Sequence, residues 1–334
     1  MLSAEKIGFI DPHGIYFSDK RNRRTGRCWR LDEDFAEMEK IPDQFLPFKG
    51  ILDCNEEVFA NGYYDGTLFR FPLRTTPSDL SNTLYTEEKM DTLFESFEAD
   101  AHLVLLFLQH LESIELYVRK ESHASPRRTF QVRVADKDLE LVRSKRKEFL
   151  GQIRPGKLMP HSVAVTYPIT IETIKSGTSH ETDLLQQYSF LVTNYFCGGE
   201  VSWNFKRLMT DKELNYLPIV GVAMPLPNGP GIQTPNIKGH VFCFLPLPVP
   251  MRSLTGLPVH INGFFALSQN RRYIKSPNAD QAERESMGRR KLTDKSLLWN
   301  KCLLEEATPR AYATLILQAT KLVSCFLPRT SIYK

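Results

Sequence analysis

Apolar residues in the first hundred positions fall into short runs at 6–10, 45–48 and 67–73, divided by Asp11-Pro12-His13-Gly14 and Asn61-Gly62. That punctuation predicts short strands joined by loops. Across 66–74, Leu68 and Arg70 alternate with Thr67, Phe69 and Phe71 until Pro72 removes a ladder donor, so this strand is expected to end near Leu73. From Thr86 the period changes. Met90, Leu93, Phe94, Phe97, Ala101, Val104, Leu108 and Leu111 recur at three and four, which predicts one or two helices over 86–111. Residues 103–108 are apolar all round and are expected to be buried on several sides.

Beyond the helix, 114–119 and 130–134 alternate across a polar turn at 122–126, the pattern of a hairpin. The charge-rich stretch 136–148 predicts a solvated helix, with a break at 151–160. Strand-like runs at 163–171, 188–197, 219–224 and 241–245 predict a largely antiparallel sheet. The prolines between Pro225 and Pro258 argue against long helices there. The segment 257–267 reads as an alternating strand running into an Asn262-Gly263 turn: a core hairpin, or an apolar surface for a client polypeptide. At the end, Leu303, Leu304, Ala307, Ala311, Leu315, Ala319 and Leu322 share one face, and Thr308-Pro309 marks a restart between two helices.

The chain has 334 residues, enough for about two domains. Apolar residues make up 42% and charged residues 25%, which excludes a disordered or collagen-like chain. No apolar run approaches the roughly 20 residues that span a bilayer, and no signal-peptide core or Asn-x-Ser/Thr acceptor is present, so a cytoplasmic protein without membrane contact is expected. The six cysteines show no Cys-x-x-Cys spacing and read as reduced thiols.

Catalytic motifs are missing from the sequence. It contains no His-Glu-x-x-His, no Gly-x-Ser-x-Gly, no Gly-x-x-x-x-Gly-Lys-Ser/Thr and no Gly-x-Gly-x-x-Gly, and His240 with Cys243 makes a weak metal pair on a strand. No catalytic residue and no metal ligand is assigned. Basic runs at 20–30 (with Trp29 as a stacking partner), 143–147 and 289–291, the last after Arg271-Arg272, raise nucleic-acid binding as a third class of function. The net charge of +4 weighs against it.

Five blocks then stand together in one order: Gly8-Phe9-Ile10-Asp11-Pro12-His13, Asp43-Gln44-Phe45-Leu46-Pro47-Phe48, residues 66–74, residues 256–267, and Leu298-Trp299-Asn300 with Pro309-Arg310-Ala311-Tyr312-Ala313. Together they resemble the large repeats of the sacsin family over nearly the whole chain. The resemblance implies an α+β fold: residues 1–98 as the C-terminal part of a GHKL-type α/β sandwich, the nucleotide-binding module of the ninety-kilodalton heat-shock chaperones, truncated at its N-terminus. Residues 99–334 are then a middle-type region with a mixed or antiparallel sheet and C-terminal helices. Of that module's nucleotide site, the resemblance matches Gly66 and Thr67 to the late strand beside the adenine, and Asp11-Pro12-His13 to the stretch after the lid. The magnesium-binding Asn helix, the adenine Asp and the Gly-rich lid have no match.

The function implied is that of a cytoplasmic chaperone or co-chaperone segment that binds client polypeptides and the seventy-kilodalton heat-shock system without catalysis of its own. ATP and magnesium would bind only if missing sequence completed the site. The alternative is part of an ATP-hydrolysing chaperone module completed in that way. An uncovered edge on the first sheet, with poor solubility of that part, is also expected.

Overall fold

The computed structural model describes residues 6–11, 14–19, 27–42, 45–74, 76–77, 82–119, 125–154, 158–177, 182–227, 238–247, 254–275 and 294–326. The fold is α+β, and the chain divides into two compact units: Met1–Phe97 with Tyr117–Arg127, and Glu98–Leu116 with Arg128–Lys334.

The first unit holds an antiparallel sheet of β1 (Lys6–Asp11), β2 (Gly14–Asp19), β3 (Arg27–Arg30) and β4 (Leu68–Arg70), in the order β3-β2-β1-β4. β4 pairs with β1 over only three positions, Ile10↔Leu68 to Gly8↔Arg70, and stands at an edge of the sheet. It therefore stops at Arg70 rather than near Leu73. β1 continues to Ile7 and Lys6 opposite positions 71 and 72, but the pairing ends at Arg70, and Pro72 has no N–H to offer.

Between β3 and β4 the chain forms helical turns, not the expected strands. These are α1 (Phe35–Met38), a 3-10 turn at Leu46–Phe48 with Pro47 preset for its first turn, and α2 (Glu56–Asn61). α2 is bounded by local chemistry. Asn55 Oδ1 accepts from the N–H of Glu57 at 2.9 Å and of Val58 at 3.3 Å, and Gly62 closes the helix at φ +67°. A Cβ on Gly62 would lie 2.7 Å from the Cα of Asp32, so this position requires glycine on two counts. The turns fold over a core of Trp29, Leu31, Met38, Phe45, Phe48, Cys54, Phe59, Tyr64 and Leu68.

The predicted helical face at 86–111 resolves into one helix, α3 (Glu87–Val104), and the division between the units falls within it. Leu105, Leu106 and Phe107 leave the helix yet are fully buried, as expected for a stretch apolar on all sides. The guanidinium of Arg146 donates to the Leu105 carbonyl at 3.0 Å, satisfying a group the helix end leaves open.

The second unit is built on an eight-stranded sheet: β5 (Ser113–Val118), β6 (Arg127–Val134), β7 (Val163–Lys175), β8 (Leu184–Phe196), β9 (Ile219–Leu226), β10 (Val241–Cys243), β11 (Leu245–Pro246) and β12 (His260–Gly263). Their order is β11-β10-β12-β9-β8-β7-β6-β5, and β10 runs parallel to β12 while the pairs from β6 through β9 to β12 are antiparallel.

α4 (Asp136–Gln152) packs on β7 and is only half solvated, because Val142, Arg146 and Phe149 turn inward. On the opposite side, Leu191, Tyr195, Val220, Val222 and Ile261 form one core with residues of α5 (Trp203–Met209), α6 (Lys295–Cys302) and α7 (Thr308–Phe326).

One expectation changes here and one holds. Asn262-Gly263 is no turn: it lies inside β12, between β9 and β10, with Asn262 Oδ1 accepting the Phe244 N–H at 2.7 Å and with the Phe265 ring where a Gly263 Cβ would project. Thr308-Pro309 is the restart expected between two helices, since the last helix begins at Thr308. A π turn at Leu303–Ala307 joins α6 to α7, and the Leu303 carbonyl accepts from both the N–H and the hydroxyl of Thr308. This wider turn absorbs the donor that Pro309 lacks.

Candidate partner-binding site

The two residues matched to a nucleotide site, Gly66 and Thr67, sit in the loop entering β4, and both are exposed. The Gly66 N–H donates to the Tyr64 carbonyl at 2.9 Å. Since Ile10 pairs with Leu68, Asp11 and Thr67 are the next positions on the two strands, so the register brings Asp11 and Thr67 together. Pro12 and His13 lie outside the described residues.

The basic runs are largely spent on neighbours where they are described. Arg30 donates through Nε to Asp32 at 3.0 Å and through Nη2 at 2.7 Å, and reaches Glu33 at 3.2 Å. Trp29 is buried at 6% exposure, with its ring edge-on to Phe45, so it is a core residue and not a stacking platform. Arg143 grips Glu112 with two bonds of 2.7 Å, which holds the Glu112 carboxyl below the usual range, and adds Glu140 at 2.8 Å. Lys145 pairs with Glu148, and Arg146 is buried. Arg271 and Arg272 are exposed, while residues 20–26 and 289–291 lie outside the described residues.

His240 and Cys243 do not cooperate. The His240 N–H donates to His260 Nδ1 at 3.2 Å, and the Cys243 thiol faces the Phe265 carbonyl at 3.7 Å. Among the described residues no three His, Cys, Asp or Glu side chains group as metal ligands. Cys54, Cys197 and Cys302 are buried free thiols, and burial pushes each up to about 11.

The concave feature of the first unit is one the sequence reading missed. A groove of about 470 Å³ lies among α1, the 3-10 turn and α2, lined by Phe35, Met38, Pro42, Phe45, Phe59 and Ala60, with Glu39, Lys49 and Glu56 as its polar members. Phe45 and Phe59 meet edge to face at 6.1 Å, giving it an aromatic floor continuous with the core. Lys49 Nζ and Glu56 Oε1 pair at 3.2 Å. The first unit also exposes other apolar side chains: Leu46 at 59%, Leu52 at 56%, and Phe69 stacked on Phe71 at 5.9 Å. Leu52 holds φ +45° at the tip of a tight turn, its carbonyl fixed by the Tyr64 hydroxyl at 2.9 Å. The signal was present in the sequence: Phe35, Met38, Ile41, Phe45 and Phe48 recur at three and four, between an acidic run and the Asn55 and Gly62 caps.

The size and apolar lining suit a binding site, and nothing in the lining is a nucleophile or a general base placed for catalysis. Residues 1–131 match the family model described as Sacsin domain. Over 329 residues, 96% of this chain, the sequence is 40% identical to Sacsin of Homo sapiens, and the chain spans 7% of that protein's length. With a Sacsin-domain match at its start and that identity along nearly its whole length, the chain is a sacsin-like protein.

Proposed function

We propose that this chain is a chaperone or co-chaperone segment that binds partner or client polypeptides in the cytoplasm, in company with the seventy-kilodalton heat-shock system, and carries no catalysis of its own. The observation that supports this reading is the apolar groove of the first unit with the exposed Leu46, Leu52, Phe69 and Phe71. Isolated exposed apolar residues are ordinary on a soluble surface. An aromatic-floored groove, in a unit that exposes several of them, supports an interaction site. The polypeptide backbone, with apolar side chains at intervals, is the ligand class such a surface serves best.

The test is light scattering of a thermally unfolding test protein with and without the full chain, together with calorimetric titration of the chain with a purified seventy-kilodalton heat-shock protein. Delayed aggregation at substoichiometric chain, or saturable binding to the heat-shock protein, is expected. Neither effect, with the chain folded by circular dichroism, overturns the reading.

A further inference from the structure

We infer that the groove among α1, the 3-10 turn and α2 selects a polypeptide segment whose bulky apolar side chain is flanked by lysine or arginine. This rests on the protein-binding reading above and adds the chemistry of the bound segment. The apolar half of the argument is the lining: Met38, Phe45 and Phe59 form a floor large enough for a side-chain anchor, and Phe35, Pro42 and Ala60 wall it.

The charged half comes from the elements that build the groove. Residues 30–60 carry nine acidic side chains (Asp32, Glu33, Asp34, Glu37, Glu39, Asp43, Asp53, Glu56 and Glu57) against three basic ones, Arg30, Lys40 and Lys49, and Arg30 is held by Asp32 and Glu33. At the groove itself the polar members are Glu39, Glu56 and Lys49, so one negative charge remains after Lys49 pairs with Glu56. That pair is exposed and weakly held, and an arriving cation can displace Lys49. Glu39 has no cationic partner among the described residues. The segment's excess of six acidic groups favours encounter with a basic-flanked chain.

The experiment uses the full chain and two fluorescent peptides that share a Leu-Phe centre, one flanked by lysines and the other by glutamates, read by anisotropy at low and at moderate salt. The lysine-flanked peptide is expected to bind at least tenfold tighter, with the difference shrinking as salt rises. The paired charge reversal Glu39→Lys with Glu56→Lys, at two exposed positions, is expected to invert the preference. Ala60→Trp, which fills the groove from an exposed helix position, is expected to abolish binding of both peptides, with circular dichroism unchanged.

Equal affinity for the two peptides overturns the inference, as does undiminished binding by Ala60→Trp. If Ala60→Trp suppresses client aggregation as well as the unmodified chain does, the groove is not the site and the protein-binding reading stands. If the lysine-flanked peptide binds as stated while no aggregation is suppressed, the groove inference stands and the chaperone reading falls.

Discussion

Asn300 and Ala266 are hydrogen-bonded in both directions: Asn300 Oδ1 accepts from the Ala266 N–H at 2.8 Å, and Asn300 Nδ2 donates to the Ala266 carbonyl at 2.9 Å. The same Nδ2 reaches the Lys275 carbonyl at 3.0 Å, and the neighbouring Trp299 indole donates to the Phe264 carbonyl at 2.8 Å. A side-chain amide thus substitutes for a missing strand, tying the segment after β12 to α6. Both side chains are fully buried. Asn300→Leu strands the Ala266 N–H and the Lys275 carbonyl, while the Ala266 carbonyl keeps the Lys275 N–H at 2.8 Å, and is expected to destabilise the second unit by about 2 kcal/mol. Urea unfolding checks it: the midpoint falls with the slope unchanged. A shift too small to measure would mean that water replaces the amide.

His260 sets the response to acid. It is fully buried, stacked with His240 at 5.9 Å and flanked edge-on by Phe190 and Phe242, and burial with the nearby His240 and His102 pushes it down to about 3. Its Nδ1 accepts a hydrogen bond, so the neutral ring carries its proton on Nε2. The unfolded chain takes up a proton near pH 6.5, whereas the folded chain resists until about 3. Stability is unaffected above pH 6.5 and falls by about 1.4 kcal/mol per pH unit as pH drops through that window. His102, lowered by burial where it stacks on Tyr188, adds in the same direction. In His260→Gln the slope of unfolding free energy between pH 6 and 4 is expected to flatten. An unchanged slope would remove His260 from the acid response and leave it to His102 and the carboxylates.

Gly62 tests the architecture of the first unit. At φ +67°, with the Asp32 backbone 2.7 Å from any added Cβ, Gly62→Ala combines a disfavoured backbone region with a clash that no side-chain rotation relieves. A loss of about 2–3 kcal/mol is expected. It is read by hydrogen exchange, with protection lost in α2 and retained in β7 and β8. Gly50, also at positive φ but with open space around it, is the control, and Gly50→Ala costs less.

The parts that sequence made legible are those with long, unbroken periods. α3, the strands β7 and β8, and the apolar stretch at Leu105 to Phe107 follow directly from spacing, since each has enough residues to define a face. The groove did not. Its walls are four- and six-residue helices whose identity rests on caps and on Pro47, and too few turns repeat for the 3.6-residue period to stand out. Asn262-Gly263 misled because its turn chemistry is overridden by pairing on both sides and by the Phe265 ring lying on Gly263. Thr308-Pro309 was legible as a restart, and the last helix begins at Thr308, whose N–H and hydroxyl both donate to the Leu303 carbonyl.

Gly66 and Thr67, the positions that the family resemblance matches to a nucleotide site, are exposed and enter β4 from a loop. Isothermal titration with magnesium-ATP is expected to give no saturable heat, and Thr67→Ala is expected to behave identically. Saturable binding that Thr67→Ala weakens would instead favour a nucleotide-using module.

The two arginines of the central basic run separate a surface role from a core one. Arg143 is half exposed and held by Glu112 and Glu140, an arrangement that solvent and salt screen, so Arg143→Ala is expected to leave the urea midpoint within repeat error. Arg146, three residues on, is 4% exposed and donates to the Leu105 carbonyl at 3.0 Å. Arg146→Ala removes that charged donor and leaves space beneath α4, with an expected loss of about 2–3 kcal/mol. Neither substitution is expected to change the retention of the chain by a single-stranded oligonucleotide, because neither guanidinium is free to meet a phosphate. A marked loss of retention in Arg143→Ala alone would reverse that assignment and make the Glu112 pair a resting state that nucleic acid opens.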